Sequence, residues 1–385
     1  MTRSNSTVRS LEDLAMRAFL AFTRRGSRPR PPPVGSHRTL ICKWCCMGDA
    51  IVSLYAIREF KRLNPGISIE MLVSSRIAEV YRGIPGIDAV HVLPVTGHRL
   101  ALELVNPLLW LRFASLVFRL RRKRFGQMVD LELYRAQGAV LKRLFRIPYS
   151  RGFIVEGSLD KGHDFQVDVP RLMPEWKCFY RVLGMEPPAD PPAPLFHRPP
   201  HPVGARTRIG LAYGSSFNWP QKKWPWENFA STIRLLRDEG YEFLLFGSAM
   251  EREEGRKIAE KAGSEITDTS GTLDYAGLLK EVAGCDLVVG NDTGTLHLAA
   301  ACGVPTVTLF GPTDPRKWNP LTSTAVYLEE VPCRPCYYLG AMPPCSHFDC
   351  LRKMQPSLVA QKIRTRLAES ASLNRNRDGA QEDAP

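Results

Sequence analysis

The chain has 385 residues, 44% hydrophobic and 24% charged, which suits two soluble domains of roughly 150 residues, each with a full core. No run of about 18 uncharged apolar residues occurs, which excludes a membrane-spanning helix. The formal charge of +13, from 52 Lys and Arg against 39 Asp and Glu, attracts nucleic acid, anionic lipid or phosphorylated small molecules.

The first 36 residues read as a basic amphipathic extension. Leu11, Leu14, Ala15, Ala18, Phe19 and Phe22 follow helical spacing. Arg24, Arg25, Arg28 and Arg30 follow, and Pro29 with Pro31 to Pro33 makes a stiff linker. Glu12, Asp13 and Arg17 interrupt the apolar stretch and no small-residue cleavage site follows it, so it is not a secretory signal and the chain is placed in the cytoplasm. The helix suits a membrane interface or the protein's own surface equally.

Residues 37–186 alternate strand and helix. Strands are predicted over Thr39 to Trp44, Ile67 to Val73, Ala89 to Leu93 and Met128 to Leu133. Helices are predicted from Gly48-Asp49 to Leu63 and from Pro107 to Lys123. Over residues 187–204, eight prolines from Pro187 to Pro202 mark a linker. Residues 205–369 alternate again. Strands fall near Arg208 to Tyr213, Glu242 to Phe246, Asp286 to Val289 and Thr306 to Phe310. Helices fall near Trp226 to Glu239, Arg252 to Ala262, Tyr275 to Val282 and Thr295 to Cys302, the last stopped by Gly303 in a left-handed cap. Residues 370–385 read as a polar, disordered tail. This is an α/β chain of two Rossmann-like domains, expected to face a central cleft where ligands lie beyond the carboxyl ends of the strands.

Three loops carry candidate chemistry. In Val288 to His297 an apolar strand runs into Gly290-Asn291-Asp292-Thr293-Gly294 and then a helix, whose first N–H groups suit a diphosphate; Asp292 or Thr293 acting only as a helix cap is the plain alternative. Gly214-Ser215-Ser216 followed by Lys222 and Lys223 offers backbone and a cation to a leaving diphosphate, although such lysines are commonly surface charge. Gly48-Asp49, where the first strand meets the first helix, places a carboxylate where a general base is needed, or else a simple N-cap.

Taken together and in order, Gly48-Asp49, Lys222-Lys223-Trp224-Pro225, the Gly290 to His297 run and Phe310-Gly311-Pro312-Thr313-Asp314-Pro315 resemble the motifs of glycosyltransferase family 9, the lipopolysaccharide heptosyltransferase family. The resemblance spans about residues 38–365 and is densest in the second half. It implies a GT-B fold whose last helix, near Pro356 to Leu367, crosses back to brace the first domain, and metal-independent, inverting transfer. By position, Asp49 resembles the general base, Lys222 the lysine that neutralises the leaving diphosphate, and Glu251 the acid that holds the donor ribose. Asp292, Thr293, Gly294 and His297 resemble the donor diphosphate and sugar site, with Ser215 on the same donor side. The implied donor is ADP-heptose and the implied acceptor a lipid-linked core oligosaccharide. Two departures stand out: Tyr55 replaces the proline usual in the first helix, and the first strand ends in Cys42-Lys43-Trp44-Cys45-Cys46.

Of ten cysteines, Cys42, Cys285 and Cys302 lie in apolar segments and read as buried small hydrophobes. Cys333, Cys336, Cys345 and Cys350 have the spacing of a structural zinc site; disulfides and packed thiols remain alternatives. No cofactor is needed for catalysis.

The charge concentrates at Arg24 to Arg30 and Arg119 to Arg124 beside apolar residues, which favours peripheral attachment to an anionic membrane over nucleic acid, with solvated helix faces on a basic protein as the plain alternative. The rival readings are a sugar-nucleotide epimerase or hydrolase on the same fold, a non-enzymatic nucleotide- or nucleic-acid-binding scaffold, and a family member without activity.

Overall fold

The structure, a computed structural model, describes residues 37–94, 106–133, 137–155, 162–200, 204–215, 219–263, 265–337 and 341–382. The helix expected from Leu11 to Phe22 and its arginine-rich flank lie outside the described residues. The chain forms two compact units: one runs to Cys45 and resumes over Ala56–Pro187, and the other takes Cys46–Tyr55 and all residues from Pro188.

Among the described residues the chain begins with β1 (Arg38–Lys43), α1 (Met47–Leu63), β2 (Ser68–Val73), α2 (Ala78–Tyr81), β3 (Ala89–Val92), α3 (Pro107–Lys123), β4 (Gln127–Asp130), α4 (Gln137–Phe145), β5 (Tyr149–Val155), β6 (Phe165–Val169) and α5 (Glu175–Val182). The strands form one parallel sheet in the order β3-β2-β1-β4-β5-β6. Leu40, Ile41 and Cys42 of β1 are fully buried, the continuous apolar run of a sheet covered on both faces.

Helix α3 begins where Pro107 supplies a preset φ and the Asn106 side chain accepts from the Leu108 N–H. It buries Leu116, Val117 and Leu120 against Leu40, Leu72 and Phe125. Its other face leaves Leu108, Trp110, Leu111 and Phe118 exposed, among the exposed Arg112, Arg119 and Arg122.

The second unit continues with β7 (Arg208–Ala212), α6 (Trp226–Leu236), β8 (Glu242–Phe246), α7 (Arg252–Ala262), β9 (Ile266–Asp268), α8 (Tyr275–Ala283), β10 (Leu287–Asn291), α9 (Gly294–Ala301), β11 (Thr306–Leu309), α10 (Pro315–Trp318), β12 (Thr324–Val326), α11 (Asp349–Arg352) and α12 (Pro356–Glu382). Its parallel sheet has the order β12-β11-β10-β7-β8-β9, which repeats the topology of the first. In each sheet the winding reverses between the first and fourth strands, β1 with β4 and β7 with β10, which opens a crevice at their carboxyl ends. The left-handed cap after α9 is present: Gly303 has φ +72°, and the Val304 N–H donates to Ala299 O.

One feature differs from the sequence expectation. Residues 370–382, read as a tail, continue α12 as helix. The main contacts of α12 lie with α6 and β10–β12, where Val359, Ala360 and Ile363 share a core with Ile233 and Leu309. An apolar stripe placed over a sheet edge is buried by the nearest helix, and here that is α6 of the same unit.

Candidate active site

The crevice between β7 and β10 is held by Asn291, the last residue of β10. Its fully buried side chain donates to Tyr213 O (2.6 Å) and Gly214 O (3.1 Å) and accepts from the Trp224 N–H (2.9 Å). One amide thereby joins both strand ends to the segment carrying Lys222. Beside it, a Cβ on Gly290 would stand 2.2 Å from Ala212 O and 2.7 Å from Ala212 Cβ, so β7 and β10 approach too closely there for a side chain at 290.

Glu251 braces the loop after β7. Its Oε1 accepts from the Ser215 N–H (2.8 Å) and its Oε2 from the N–H and hydroxyl of Ser248 (3.0 and 2.9 Å), which caps the turn into α7. The carboxylate lies tight under Gly214, where a Cβ would come within 2.2 Å of it. The role as a ribose ligand, expected for Glu251, thus has a structural companion: it sets the position of Ser215.

Lys222 Nζ and Asp292 Oδ2 are 2.7 Å apart, and the Thr313 hydroxyl donates to the same oxygen at 2.8 Å. Asp292 therefore does not cap α9. Thr293 occupies the N-cap position but makes no side-chain cap bond. Thr293 Oγ1 and His297 Nδ1 are both buried without a hydrogen-bond partner among the described residues. Such atoms are uncommon in folded proteins and call for a partner. Burial pushes the His297 pKa down, against the pull of Asp292 and Asp49, so the imidazole is neutral at pH 7.

Residues 46–55 belong with this unit, and they bring Asp49 here. A Cβ on Gly48 would meet His297 Cδ2 at 2.8 Å, so the first turn of α1 lies directly against the first turn of α9. Asp49 is half-buried next to this contact.

Lys223 points elsewhere, to Glu254 (2.6 Å) and Glu251 (3.4 Å), which separates the roles of the two adjacent lysines. The Phe310 to Pro315 motif does more than supply Thr313. Pro312 O accepts from the N–H groups of Cys336 and Tyr337, both at 3.0 Å. That anchors the Tyr337 ring 5.5 Å from Lys222 Nζ, with Trp219 and Trp318 edge-on to it.

No disulfide joins any of the ten cysteines. Burial, then the neighbouring sulfurs, push Cys336 up; burial pushes Cys350 to about 11. Among the described residues no three of Cys333, Cys336, Cys345 and Cys350 have their sulfurs within 4.8 Å of one another as placed, although Cys336 and Cys350 each feel the other sulfurs of the set.

Sequence reasoning passed over Asn291, Thr313 and Tyr337 as individual contributors, and a buried charge cluster in the first unit. There Lys43 Nζ meets Glu132 Oε1 at 3.2 Å, and His163 Nε2 stands 3.3 Å from Asp130 Oδ2. A lysine closing an apolar strand, and Asp130-x-Glu132 at the end of β4, were the available signals.

A family model described as glycosyltransferase family 9 (heptosyltransferase) matches residues 189–340. Lipopolysaccharide heptosyltransferase 1 of Pseudomonas aeruginosa is 28% identical over 370 residues, covering 87% of this chain and 99% of that protein. Lipopolysaccharide heptosyltransferase 2 of Escherichia coli K12 is 38% identical over 126 residues, 31% of this chain and 35% of its own. Among solved structures, E. coli heptosyltransferase WaaC with ADP aligns at a TM-score of 0.67 and 19% identity, over 86% of this chain and 99% of the other. E. coli ADP-heptose lps heptosyltransferase II aligns at 0.65 and 19%, over 87% and 99%. These two share the fold.

Proposed function

We propose that the chain is a glycosyltransferase of family 9 and GT-B fold that moves a heptose from ADP-heptose onto a hydroxyl of a lipopolysaccharide-core acceptor. The observation that carries the donor assignment is the pair of unpartnered buried atoms, Thr293 Oγ1 and His297 Nδ1, at the start of α9 beside Lys222. A nucleotide diphosphate supplies what that corner lacks: oxygens for the helix N-terminus, the lysine and the threonine hydroxyl.

In this reading transfer is a single displacement with inversion. The acceptor hydroxyl gives its proton to Asp49 and attacks the anomeric carbon as the bond to the diphosphate oxygen breaks. Charge growing on that oxygen is stabilised by Lys222 and the first N–H groups of α9, so no metal is required. Neutral His297 offers a hydrogen bond without adding charge, and Glu251 and Ser215 face the nucleoside side.

The exposed apolar and arginine-bearing face of α3 supports docking on an anionic membrane, on the inner face of the cytoplasmic membrane where a glycolipid acceptor resides. No helix among the described residues is long and apolar enough to cross a membrane.

A binding and turnover screen over ADP-, UDP-, GDP- and dTDP-sugars tests the assignment. ADP-heptose should bind and turn over only when acceptor is present. Acceptor-free consumption of donor would instead mark an epimerase or hydrolase.

A further inference from the structure

The stretch Cys45-Cys46-Met47-Gly48-Asp49 holds three metal-ligating groups close together. The Cys45 and Cys46 sulfurs and an Asp49 carboxylate oxygen all lie within 4.8 Å of one another. We propose that this stretch binds a thiophilic divalent cation, zinc foremost, and that filling it arrests transfer by engaging Asp49. The arrest rests on Asp49 being the base; the binding site does not.

The backbone explains why neighbouring cysteines converge. Successive side chains of a strand point to opposite faces. Cys46, however, has φ +64°, and its carbonyl accepts from the Ala50 N–H at 3.0 Å, opening α1. The chain therefore turns back on itself just after Cys45, and Asp49 follows within the first turn of the helix.

The spacing is within reach of coordination. Tetrahedral zinc with bonds of about 2.3 Å to sulfur sets two thiolates about 3.7 Å apart, a closure that side-chain rotation provides from 4.8 Å or less. Two thiolates and one carboxylate favour zinc over magnesium or calcium, which require oxygen ligands. Cys46 is exposed while Cys45 and Asp49 are half-buried, so the fourth position faces solvent and takes water.

The surroundings hold the first ligand in place. Glu132 Oε1 accepts from the N–H groups of Trp44 (2.7 Å) and Cys45 (3.3 Å), and its Oε2 accepts from the Cys45 thiol at 3.6 Å. Coordination releases both thiol protons to solvent, with Glu132 as the first acceptor for that of Cys45.

The test is a zinc titration of the reduced full chain against a chromophoric chelator, for wild type, the Cys45→Ser/Cys46→Ser double variant and Asp49→Asn. Wild type should bind one equivalent more than the double variant; the other cysteines are common to both, so any zinc they hold cancels. Asp49→Asn should weaken that equivalent by about tenfold while both thiols remain. Cobalt in place of zinc should give wild type an additional thiolate charge-transfer band. If the double variant does not fold, the Asp49→Asn titration and its cobalt spectrum decide the matter: unchanged affinity overturns the site. Equal stoichiometry in wild type and a folded double variant also overturns it. Transfer by wild type should fall about tenfold as the extra equivalent binds, and the double variant should not respond. An extra equivalent that leaves transfer intact keeps the site and refutes the arrest and the role of Asp49.

Discussion

Lys222 and Asp292 are separated by 70 positions in the chain and meet at 2.7 Å beside the first turn of α9. Asp292 is also held by Thr313, so it keeps a partner if the lysine turns to the proposed diphosphate. Lys222→Ala should weaken ADP binding and donor use by about ten- to a hundredfold, the range of one charge-assisted hydrogen bond. Asp292→Ala should also damage donor use, because Lys222 then loses its aim. Isothermal titration with ADP and steady-state rates check both; wild-type values in both variants would remove this corner from donor binding.

Asp49→Asn keeps the size of the side chain and takes away its basicity. Turnover should drop on the order of a hundredfold or more while ADP affinity stays within about twofold. Near-normal turnover would exclude Asp49 as the proton acceptor.

His297 makes the fold sensitive to mild acid. Its unfolded imidazole titrates near 6.5, whereas in the folded chain burial holds the pKa lower. Between those values the unfolded chain binds a proton that the native one does not, so this contribution is complete above about pH 6.5 and declines as pH falls below it. Urea midpoints at pH 7.5 and 5.5 should differ more for wild type than for His297→Gln. Identical differences would show that the imidazole is not held neutral.

Asn291→Ala strands two carbonyls and one N–H in the interior. A loss of about 3 kcal/mol is expected, seen as a fall of about 6–12 °C in the thermal midpoint. A shift under about 2 °C would mean that these groups find other partners.

On α3, not every cation is available to lipid. Lys123 pairs with Glu70 at 2.8 Å and Arg121 donates to Leu144 O at 2.7 Å, so both serve the fold. Arg112, Arg119 and Arg122, with Trp110, Leu111 and Phe118, form the outward face. Replacing the three arginines by alanine should lower partitioning onto anionic vesicles about a hundredfold, at about 1 kcal/mol each. Replacing the three apolar residues by serine should weaken it at any ionic strength. Co-sedimentation at low and high salt reads both, and a wild-type chain that stays in the supernatant at low salt refutes the membrane reading.

Much of the fold follows from local pattern. The limits of α3, β8 and α7 coincide with those read from spacing, because Pro107, Gly240 and Gly263 punctuate strongly periodic runs. The strands β5 and β6 escaped notice because Arg151 and Gly152 interrupt one, and the other is a half-covered edge with Phe165 exposed. In the site, Lys222 and Asp292 were visible as parts of motifs. That Asn291 is the clasp was not, since its partners Tyr213 and Trp224 are 78 and 67 positions away and meet it only after β7 and β10 pair.

At the crevice floor, Gly290 leaves no room for any side chain against Ala212 O. Substitution there dislodges the strands instead of retuning the site. Under the proposed donor assignment, drift in substrate preference is thereby confined to Ser215, Glu251, Tyr337 and the residues beside them. If the proposed donor site holds, its diphosphate corner stays constant while the sugar and nucleoside side can change, and libraries aimed at a new donor belong on that rim.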